Sequence, residues 1–272
     1  MPRRSRFRVF AAFAAVTWAA AAPAAAGWRT LEPGLELGTF DLSPPFAGAK
    51  LTALRIDPAA WDVGAYCASE YGLDTGRTTP EWCEALDLAA AINAGMYATD
   101  FQTHVGYLRN GKHVNSSHRN AYKSVAVCRP RREGLPPFRI VDLDVPGASM
   151  DSLIAGYGTV VQNLRLIKRP RENRWTEATR KWSEAALDED AKGRALFLLC
   201  STPLAMRDFN AQLLALPLDL VCAQHLEGGP EAQLYVRTSK VTRGYFGSFE
   251  EGASSGSFAW RIPNVLGVKR RK

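Results

Sequence analysis

The stretch WSEAALDEDAKGRALFLLCSTPLAMRDFNAQLLALPLDLVCAQHLEGG, residues 182–229, decides the fold prediction. Two apolar runs, 182–188 and 194–200, flank a turn at 191–193 and predict a β-hairpin. Apolar residues at helical spacing then predict an amphipathic helix, and residues 218–226 predict a buried strand. Strands joined by a crossing helix indicate the α+β class.

Shorter apolar runs bounded by Gly, Pro and Asn predict the other elements. The predicted strands are 51–56, 61–67, 88–92, 105–108, 122–128, 157–167 and 233–237. The first two are expected to pair as a hairpin, and Thr79 followed by Pro80 predicts a helix start. We expect a single α+β domain over residues 27–272, with a mixed, largely antiparallel sheet, a few helices and a mobile loop at 252–256.

The net charge is concentrated at the two ends of the chain. The sequence has 34 Lys and Arg residues against 27 Asp and Glu residues, a formal net charge of +7. Four of the arginines lie in residues 1–26, and Lys269 to Lys272 are all basic, so the body of the chain is close to neutral. This distribution argues against nucleic acid as a partner. We expect the basic C-terminal tail to be mobile in solvent.

Residues 1–26 have the pattern of a secretory signal peptide. A basic segment precedes an apolar run at 9–22, and Ala24-Ala25-Ala26 offers small residues for cleavage before Gly27. The apolar run is too short to cross a bilayer comfortably, and no later stretch approaches 18 apolar residues. We expect an exported protein, periplasmic or extracellular, without stable membrane insertion after cleavage; the alternative is an N-terminal anchor.

Export would permit disulfides among the five cysteines. Cys67 and Cys83 flank one loop and are the best candidates for a bond. The cysteines show no CxxC pair and no metal-ligand spacing, so we predict no zinc site. Cys200 lies inside an apolar run and is expected to be buried.

Two polar residues follow apolar strands and precede glycines: Asn93 before Ala94-Gly95, and Glu227 before Gly228-Gly229. A polar group at a strand end beside glycine is a common active-site arrangement, although a plain turn has the same pattern. Because Glu227 follows a buried run, partial desolvation would raise its pKa and suit it to proton transfer.

The sequence lacks the motifs of several enzyme classes. HExxH, the P-loop and GxGxxG after a strand are absent, and the GxSxG match at 252–256 lies in the predicted mobile loop instead of a strand-to-helix turn, so zincins, α/β-hydrolases, NTPases and dinucleotide-binding folds lose support. His104 is a candidate for proton transfer. Asp100 and His104 stand four residues apart and leave a metal-dependent phosphodiesterase open as a minor alternative.

Six segments in order resemble motifs of the phosphodiester glycosidase family, and the resemblance covers most of residues 50–240. The segment Ala91-Ile92-Asn93-Ala94-Gly95-Met96-Tyr97 is similar to the family's Asn-Gly-Gly-Met-Phe, and Leu226-Glu227-Gly228-Gly229 to its Leu-Asp-Gly-Gly. The other similar segments are 54–58, 105–108, 161–167 and 183–193. Glu227 stands where many members have Asp, Pro230-Glu231 replace Gly-Ser, and Trp182-Ser183 replace Arg-Thr.

The resemblance implies a hydrolase that cleaves a sugar-1-phosphodiester and needs no cofactor or metal. In such a reaction Glu227 would act as base or charge stabiliser, Asn93 would orient the sugar or water, and His104 is a further catalytic candidate. The substrate would be a phosphorylated carbohydrate or glycan. The candidate substrate-binding residues are Gly95, Gln162, Arg180, Lys181, Ser183, Gly228, Gly229 and Glu231.

A non-catalytic, exported glycan-binding protein is the alternative from another class. Aromatic rings can stack on sugars, although most tryptophans pack in cores. The candidate rings are Trp28, Trp61, Trp82, Trp175 and Trp182. An enzyme should bring Asn93 and Glu227 together, whereas a binder should show an open aromatic surface.

Overall fold

A computed structural model describes residues 27–248 and 258–271 of the chain. The predicted signal peptide, the predicted loop at 252–256 and Lys272 lie outside the described residues. The described strands form three sheets in which every pairing is antiparallel. The α+β class is therefore confirmed, with three sheets in place of the single sheet expected.

The first sheet has eight strands in the spatial order β1-β2-β3-β14-β13-β15-β11-β12. Their bounds are β1 Trp28–Glu32, β2 Leu35–Asp41, β3 Lys50–Ile56, β11 Arg165–Lys168, β12 Glu172–Asn173, β13 Trp182–Asp190, β14 Ala195–Leu204 and β15 Leu220–Gly228. The predicted hairpin is its centre: β13 pairs with β14 on one side and with β15 on the other.

The other two sheets have five strands each. The second, in the order β7-β6-β10-β8-β9, consists of β6 Leu108–Asn110, β7 His113–Ser116, β8 Ser124–Pro130, β9 Phe138–Asp142 and β10 Tyr157–Asn163. The third, in the order β17-β16-β5-β18-β4, consists of β4 Trp61–Cys67, β5 Ala90–Asn93, β16 Gln233–Arg237, β17 Thr242–Phe246 and β18 Asn264–Arg270.

One apolar core lies among the three sheets, and a helix covers the other face of each. The shared core includes Leu54 of β3, Ile92 of β5 and Val161 of β10, all fully or almost fully buried. The helices are α1 Thr79–Leu86 on the third sheet, α2 Met150–Gly156 on the second and α3 Met206–Ala215 on the first, with short 3-10 turns at Ala68–Tyr71 and Gly229–Glu231. No helix in the described ranges is long and apolar enough to span a membrane.

Helix α1 begins one residue earlier than the sequence predicts. Thr78 is the N-cap: its hydroxyl accepts the Glu81 amide at 3.3 Å, while Glu81 Oε2 accepts the Thr78 amide at 2.9 Å. This reciprocal capping box satisfies two amides that the first helical turn leaves free. Pro80 falls in the first turn, where its missing N–H costs nothing.

Two predicted strand arrangements are wrong, and the predicted mobile tail is wrong in part. β3 and β4 do not form a hairpin, because β3 pairs with β2 and β14 while β4 pairs with β18. The predicted strand 157–167 is interrupted at Leu164, so that β10 and β11 belong to different sheets. The chain belongs to a sheet as far as Arg270 instead of forming a mobile tail from Lys269, because β18 is paired on both sides, with β4 and β5.

All five cysteines are buried free thiols, so the expected Cys67–Cys83 disulfide is wrong. Cys67 packs in the core shared by the sheets, whereas Cys83 packs under α1. Cys200 is buried, as predicted. Burial raises the pKa of Cys83, Cys128 and Cys200 to about 12, because an apolar environment disfavours the thiolate.

Candidate active site at three strand ends

The ends of β5, β10 and β15 meet at one place. The side-chain amide of Asn93, at the end of β5, donates to the main-chain oxygen of Glu231 at 2.7 Å, across 138 residues of sequence. The amide of Asn163, at the end of β10, donates to the main-chain oxygen of Ala94 at 2.9 Å. These bonds fix the segment after β15 against the segment after β5. The two predicted strand ends are therefore neighbours.

Glu227 is the chemically distinctive group at this junction. It is partly buried, and burial raises its pKa to about 7. His225 and the Gly228 amide, which donates to Oε1 at 3.1 Å, oppose that rise, while Glu231 and Glu184 add to it. A carboxyl group that titrates near neutral pH can accept or release a proton under ordinary conditions.

A buried pair that the sequence analysis did not identify lies beside Glu227. Nδ1 of His225 is 2.6 Å from Oε1 of Glu184, and Nε1 of Trp182 donates to Oε2 of the same carboxylate at 2.8 Å. Burial opposes a charge on His225, but the Glu184 carboxylate prevails and raises the pKa of the imidazole. The raised pKa of His225 favours an imidazolium beside the Glu184 carboxylate, two residues along the chain from Glu227.

This pair left a weak signal in the sequence. Glu184 and His225 both interrupt apolar strands, where a charged side chain needs a partner. The register that aligns Glu184 with Gly228 and Ala186 with His225 brings them together. No spacing in the sequence reveals that register.

Tyr97 completes the polar surroundings of Glu227. Burial raises the pKa of Tyr97 to about 12, and the nearby carboxylates of Glu231 and Glu227 raise it as well. The phenol therefore stays protonated at neutral pH and is available as a hydrogen-bond donor. The residue belongs to the segment that resembles a family motif, but the sequence alone gave it no role.

Asn93 is placed differently from the expectation that it orients substrate. Its side chain is 1% exposed. In addition to the Glu231 bond, its Oδ1 accepts the Gln233 amide at 2.7 Å. Both ends of the Asn93 amide thus hold the turn between β15 and β16, which is a positioning role.

Gln162 is also committed to the backbone. Its amide nitrogen donates to the carbonyl oxygens of Asn120 and Tyr122 at 3.0 and 2.8 Å, and its oxygen accepts the Tyr107 amide at 3.3 Å. The side chain is 1% exposed. It anchors the segment between β6 and β8 instead of facing a ligand.

His104 lies in a tight network with the β5 and β10 ends. Its Nδ1 accepts the Gly106 amide at 3.0 Å, so Nε2 carries the proton and donates to Asn163 Oδ1 at 3.1 Å. Burial lowers the pKa of His104, which keeps the ring neutral. Gly95, with φ of +147°, lies against both side chains: a Cβ there would be 2.3 Å from Asn163 Oδ1 and 2.4 Å from His104 Nε2.

Ser183 and the glycines after Glu227 form the other wall of the junction. Ser183 is fully buried, and its hydroxyl lies 2.6 Å from the Ser201 carbonyl oxygen and accepts the Ser248 amide at 2.8 Å. The indole of Trp182 covers Gly228, where a Cβ would be 2.4 Å from Trp182 Cδ1. Gly229 has φ of +68°.

Arg180 and Lys181 are exposed and directly precede β13. The register places the start of β13 beside Gly228, so both cations belong to the same edge of the sheet as Glu227. The backbone amide of Arg180 is held by Glu177 Oε1 at 3.2 Å. Glu231 is partly buried and contributes its carbonyl oxygen to Asn93 and its carboxylate to the surroundings of Tyr97.

The residues considered for a metal site are engaged elsewhere. Asp100 accepts the amides of Gln102 and Thr103 at 3.0 and 2.9 Å, which makes a local turn, and His104 faces Asn163. Within the described ranges, no group of three His, Cys, Asp or Glu side chains has the arrangement of a metal site.

Most of the tryptophans considered for a glycan-binding surface are buried and do not form an open aromatic surface. Trp28, Trp61 and Trp82 are 6%, 2% and 0% exposed and belong to the core. Trp175 and Trp182 are partly buried. The Trp182 indole packs against Gly228 and donates a hydrogen bond to Glu184.

Comparisons with known proteins agree with this fold. Residues 87–269 match the model of the phosphodiester glycosidase family. The fold is similar to the catalytic domain of zebrafish N-acetylglucosamine-1-phosphodiester alpha-N-acetylglucosaminidase, auto-inhibited by its pro-peptide, with a TM-score of 0.64 and 11% identity over 91% of this chain and 87% of the other. It is also similar to a hypothetical protein from Synechocystis, with a TM-score of 0.59 and 12% identity over 88% of this chain and 62% of the other. No curated protein sequence matches the chain.

Proposed function

Because the chain belongs to the phosphodiester glycosidase family, we propose that it is an exported hydrolase that cleaves a sugar-1-phosphodiester in an envelope or extracellular glycan. The observation that carries the proposal is the Glu227 carboxyl, whose pKa is raised to about 7 at the junction of three strand ends. The zebrafish enzyme with a similar fold is named for a sugar-1-phosphodiester substrate, which supports the same substrate class here.

The leaving group explains why one ionised carboxylate can suffice. Ordinary glycosidases use a second carboxylic acid to protonate the departing oxygen. A phosphomonoester is a stable anion and leaves without that proton. The remaining tasks are to hold the phosphate, stabilise positive charge at the sugar and activate water.

Glu227 activates the water or stabilises the charged sugar. As base, its carboxylate accepts a proton from water while the water oxygen bonds to the anomeric carbon. The bond between that carbon and the phosphate oxygen breaks, and its electron pair stays on the phosphate. The products are a free sugar and a phosphomonoester, with the proton held on Glu227. Both roles require the ionised form.

The neighbours of Glu227 set the protonation state that this step requires. The His225 imidazolium, paired with Glu184, limits the rise in the pKa of Glu227 and so keeps much of it ionised at neutral pH. The Tyr97 hydroxyl is available as a donor to a sugar or phosphate oxygen. His104 stays neutral and acts through Asn163 on the β5 end, as a positioning residue.

Arg180 and Lys181 are the phosphate-binding candidates that fit best. Both are exposed at the edge where β15 ends, and a guanidinium can bind two phosphate oxygens at once. The Gly228 amide already donates to Glu227 Oε1, so the Gly229 amide is the one expected to assist. Ser183, Gly95, Gln162 and Asn93 support these groups through their hydrogen bonds and close packing instead of touching the substrate.

The test is turnover of a panel of sugar-1-phosphodiesters, with released reducing sugar as the measurement. Glu227→Gln is expected to lower kcat by about 10²- to 10⁴-fold, as loss of a general base does. Glu133→Gln, on an exposed loop, is the matched control and should turn over like the unmodified protein. Full activity of Glu227→Gln on a substrate that the protein hydrolyses would refute the assignment.

Export is part of the proposal and rests on residues 1–26. The expected location is the periplasm or the extracellular space. Expression of the full chain with a C-terminal epitope, followed by N-terminal sequencing, should give a product that begins at Gly27. Retention of Met1 in a membrane fraction would favour the anchor.

A further inference from the structure

A basic groove runs across the surface beside β17 and ends next to the candidate active site. Three cavities of about 640, 610 and 420 Å³ share wall residues. The first two share Thr242, and the second and third share Thr39, Arg243 and Tyr245. They are therefore neighbouring cavities along β17, and we call the three together the basic groove.

The walls of the basic groove carry far more positive than negative charge. Among the described residues, two acidic side chains line it, Glu32 and Asp87, and both are already in ion pairs, with Arg270 and Arg237. The basic wall residues are Arg29, Lys50, Arg237, Lys240, Arg243, Lys269, Arg270 and Arg271. In the part of the chain that the structure describes, the middle cavity has no acidic wall residue.

The centre of the basic groove has two arginines around one aromatic ring. The guanidinium of Arg243 lies 5.2 Å from the ring centre of Tyr245. Arg29 lines the same cavity as Arg243 and Tyr245, and burial raises the pKa of Tyr245 while Arg243 and Arg29 both lower it. Neither arginine has an acidic partner within 4 Å among the described residues.

One end of the basic groove reaches the glycines after Glu227. β17 runs along the groove from Thr242 to Phe246, a length of about 13 Å at about 3.3 Å per residue. Gly247 follows and is pressed against the Gly229 backbone: a Cβ at Gly247 would be 2.0 Å from the Gly229 carbonyl oxygen. Phe246 and Gly247 therefore connect the end of the groove to the segment that follows Glu227.

We propose that the basic groove binds a polyanionic glycan whose sugars are joined through phosphodiesters and directs it to Glu227. Unpaired guanidinium groups bind phosphate oxygens, and the Tyr245 and Phe246 rings offer apolar surface to the sugars. The inference rests on the proposed function for its choice of ligand. It adds that the substrate is a polymer with several phosphates, held outside the site of cleavage.

The first test measures binding without turnover. The probe is a fluorescent hexamer of phosphodiester-linked sugars, titrated at about 50 mM salt and at higher salt into proteins that all carry Glu227→Gln, so that the probe is not cleaved. The double variant Arg29→Gln/Arg243→Gln is expected to weaken binding by about ten-fold and to flatten the salt dependence. The control Lys112→Gln/Arg132→Gln removes two exposed charges outside the groove and should bind like the unmodified protein. Unchanged binding by the groove variant, or equal loss in the control, would overturn the proposal.

The second test identifies the ligand class and separates this proposal from the catalytic one. A neutral dextran hexamer should bind negligibly, and an oligonucleotide of equal charge should bind more weakly than the glycan; a stronger oligonucleotide complex would overturn the glycan assignment. The ratio of kcat/KM for hexamer to that for monomer should fall about ten-fold in the groove variant. Absence of hydrolysis, with groove-dependent binding intact, would refute the enzyme proposal alone.

Discussion

Glu227 is a candidate catalytic residue because it lies near the end of β15, a strand that is mostly buried. Burial raises its pKa to about 7, the His225 imidazolium holds that value down, and two further carboxylates push it up. The balance leaves a group that is charged and protonated in comparable amounts near neutral pH. A carboxylate in open solvent would be a much weaker base.

We predict that the pH dependence of kcat/KM follows the Glu227 carboxylate. Because the ionised form is required, kcat/KM should reach half its plateau near pH 7 and fall about ten-fold for each further pH unit of acidification. The measurement is a pH–rate profile on a sugar-1-phosphodiester. Glu133→Gln should keep this profile. Activity that stays constant from pH 8 to pH 5 would contradict the prediction.

The raised pKa of Glu227 also makes the stability of the protein depend on pH. The pKa of Glu227 is raised on folding, so its contribution to stability is present below its unfolded value, about 4.3, and is lost as pH rises through about 7. Glu227→Gln should therefore melt at a higher temperature than the unmodified protein at pH 8 and at the same temperature at pH 4. A lower melting temperature at pH 8 would mean that the charge is stabilised in the folded protein.

At the scale of elements, the site forms where β5, β10 and β15 end close to one another. The interruption at Leu164 ends β10 at Asn163 and sends β11 into another sheet. Asn163 can then bond both the His104 ring and the Ala94 carbonyl oxygen. Gly95 permits this meeting, because its backbone passes directly beside the two side chains.

We predict that Gly95→Ala lowers the free energy of unfolding by about 2–4 kcal/mol, since the methyl group would displace two buried, hydrogen-bonded side chains. Urea unfolding is the measurement. Gly111→Ala is the matched control, because Gly111 also has a positive φ, +60°, but has nothing within 4 Å of the new methyl group. It should cost about 1 kcal/mol. Equal losses in the two variants would show that backbone strain alone matters.

At the scale of the whole molecule, three sheets share one core and enclose all the thiols. Each sheet has a helix on its other face, so the strands of the central core are covered on both sides. The arrangement needs no covalent cross-link between the sheets. Cys67 and Cys83 lie in different parts of it and remain free.

We predict that none of the five cysteines reacts with a thiol reagent within minutes in the folded protein, because burial keeps each one protonated and inaccessible. Denaturation without reductant should expose all five. The measurement is absorbance on thiol titration, with reduced and denatured protein as the control. Three reactive thiols after denaturation would indicate a disulfide.

The amino-acid sequence by itself determined the α+β class, the central hairpin and β16, and it identified the segments around Asn93 and Glu227 as candidates. These are local properties: alternation, turn residues and a polar group after an apolar run act over a few neighbouring residues. Only the tertiary structure decided four other features. They are the contact of β5 with the segment after β15 across 138 residues, the Glu184–His225 pair, the pairing of β4 with β18, and the basic groove. Each depends on strand register and on side chains distant in sequence, and one residue of register shift would turn those side chains to the opposite face.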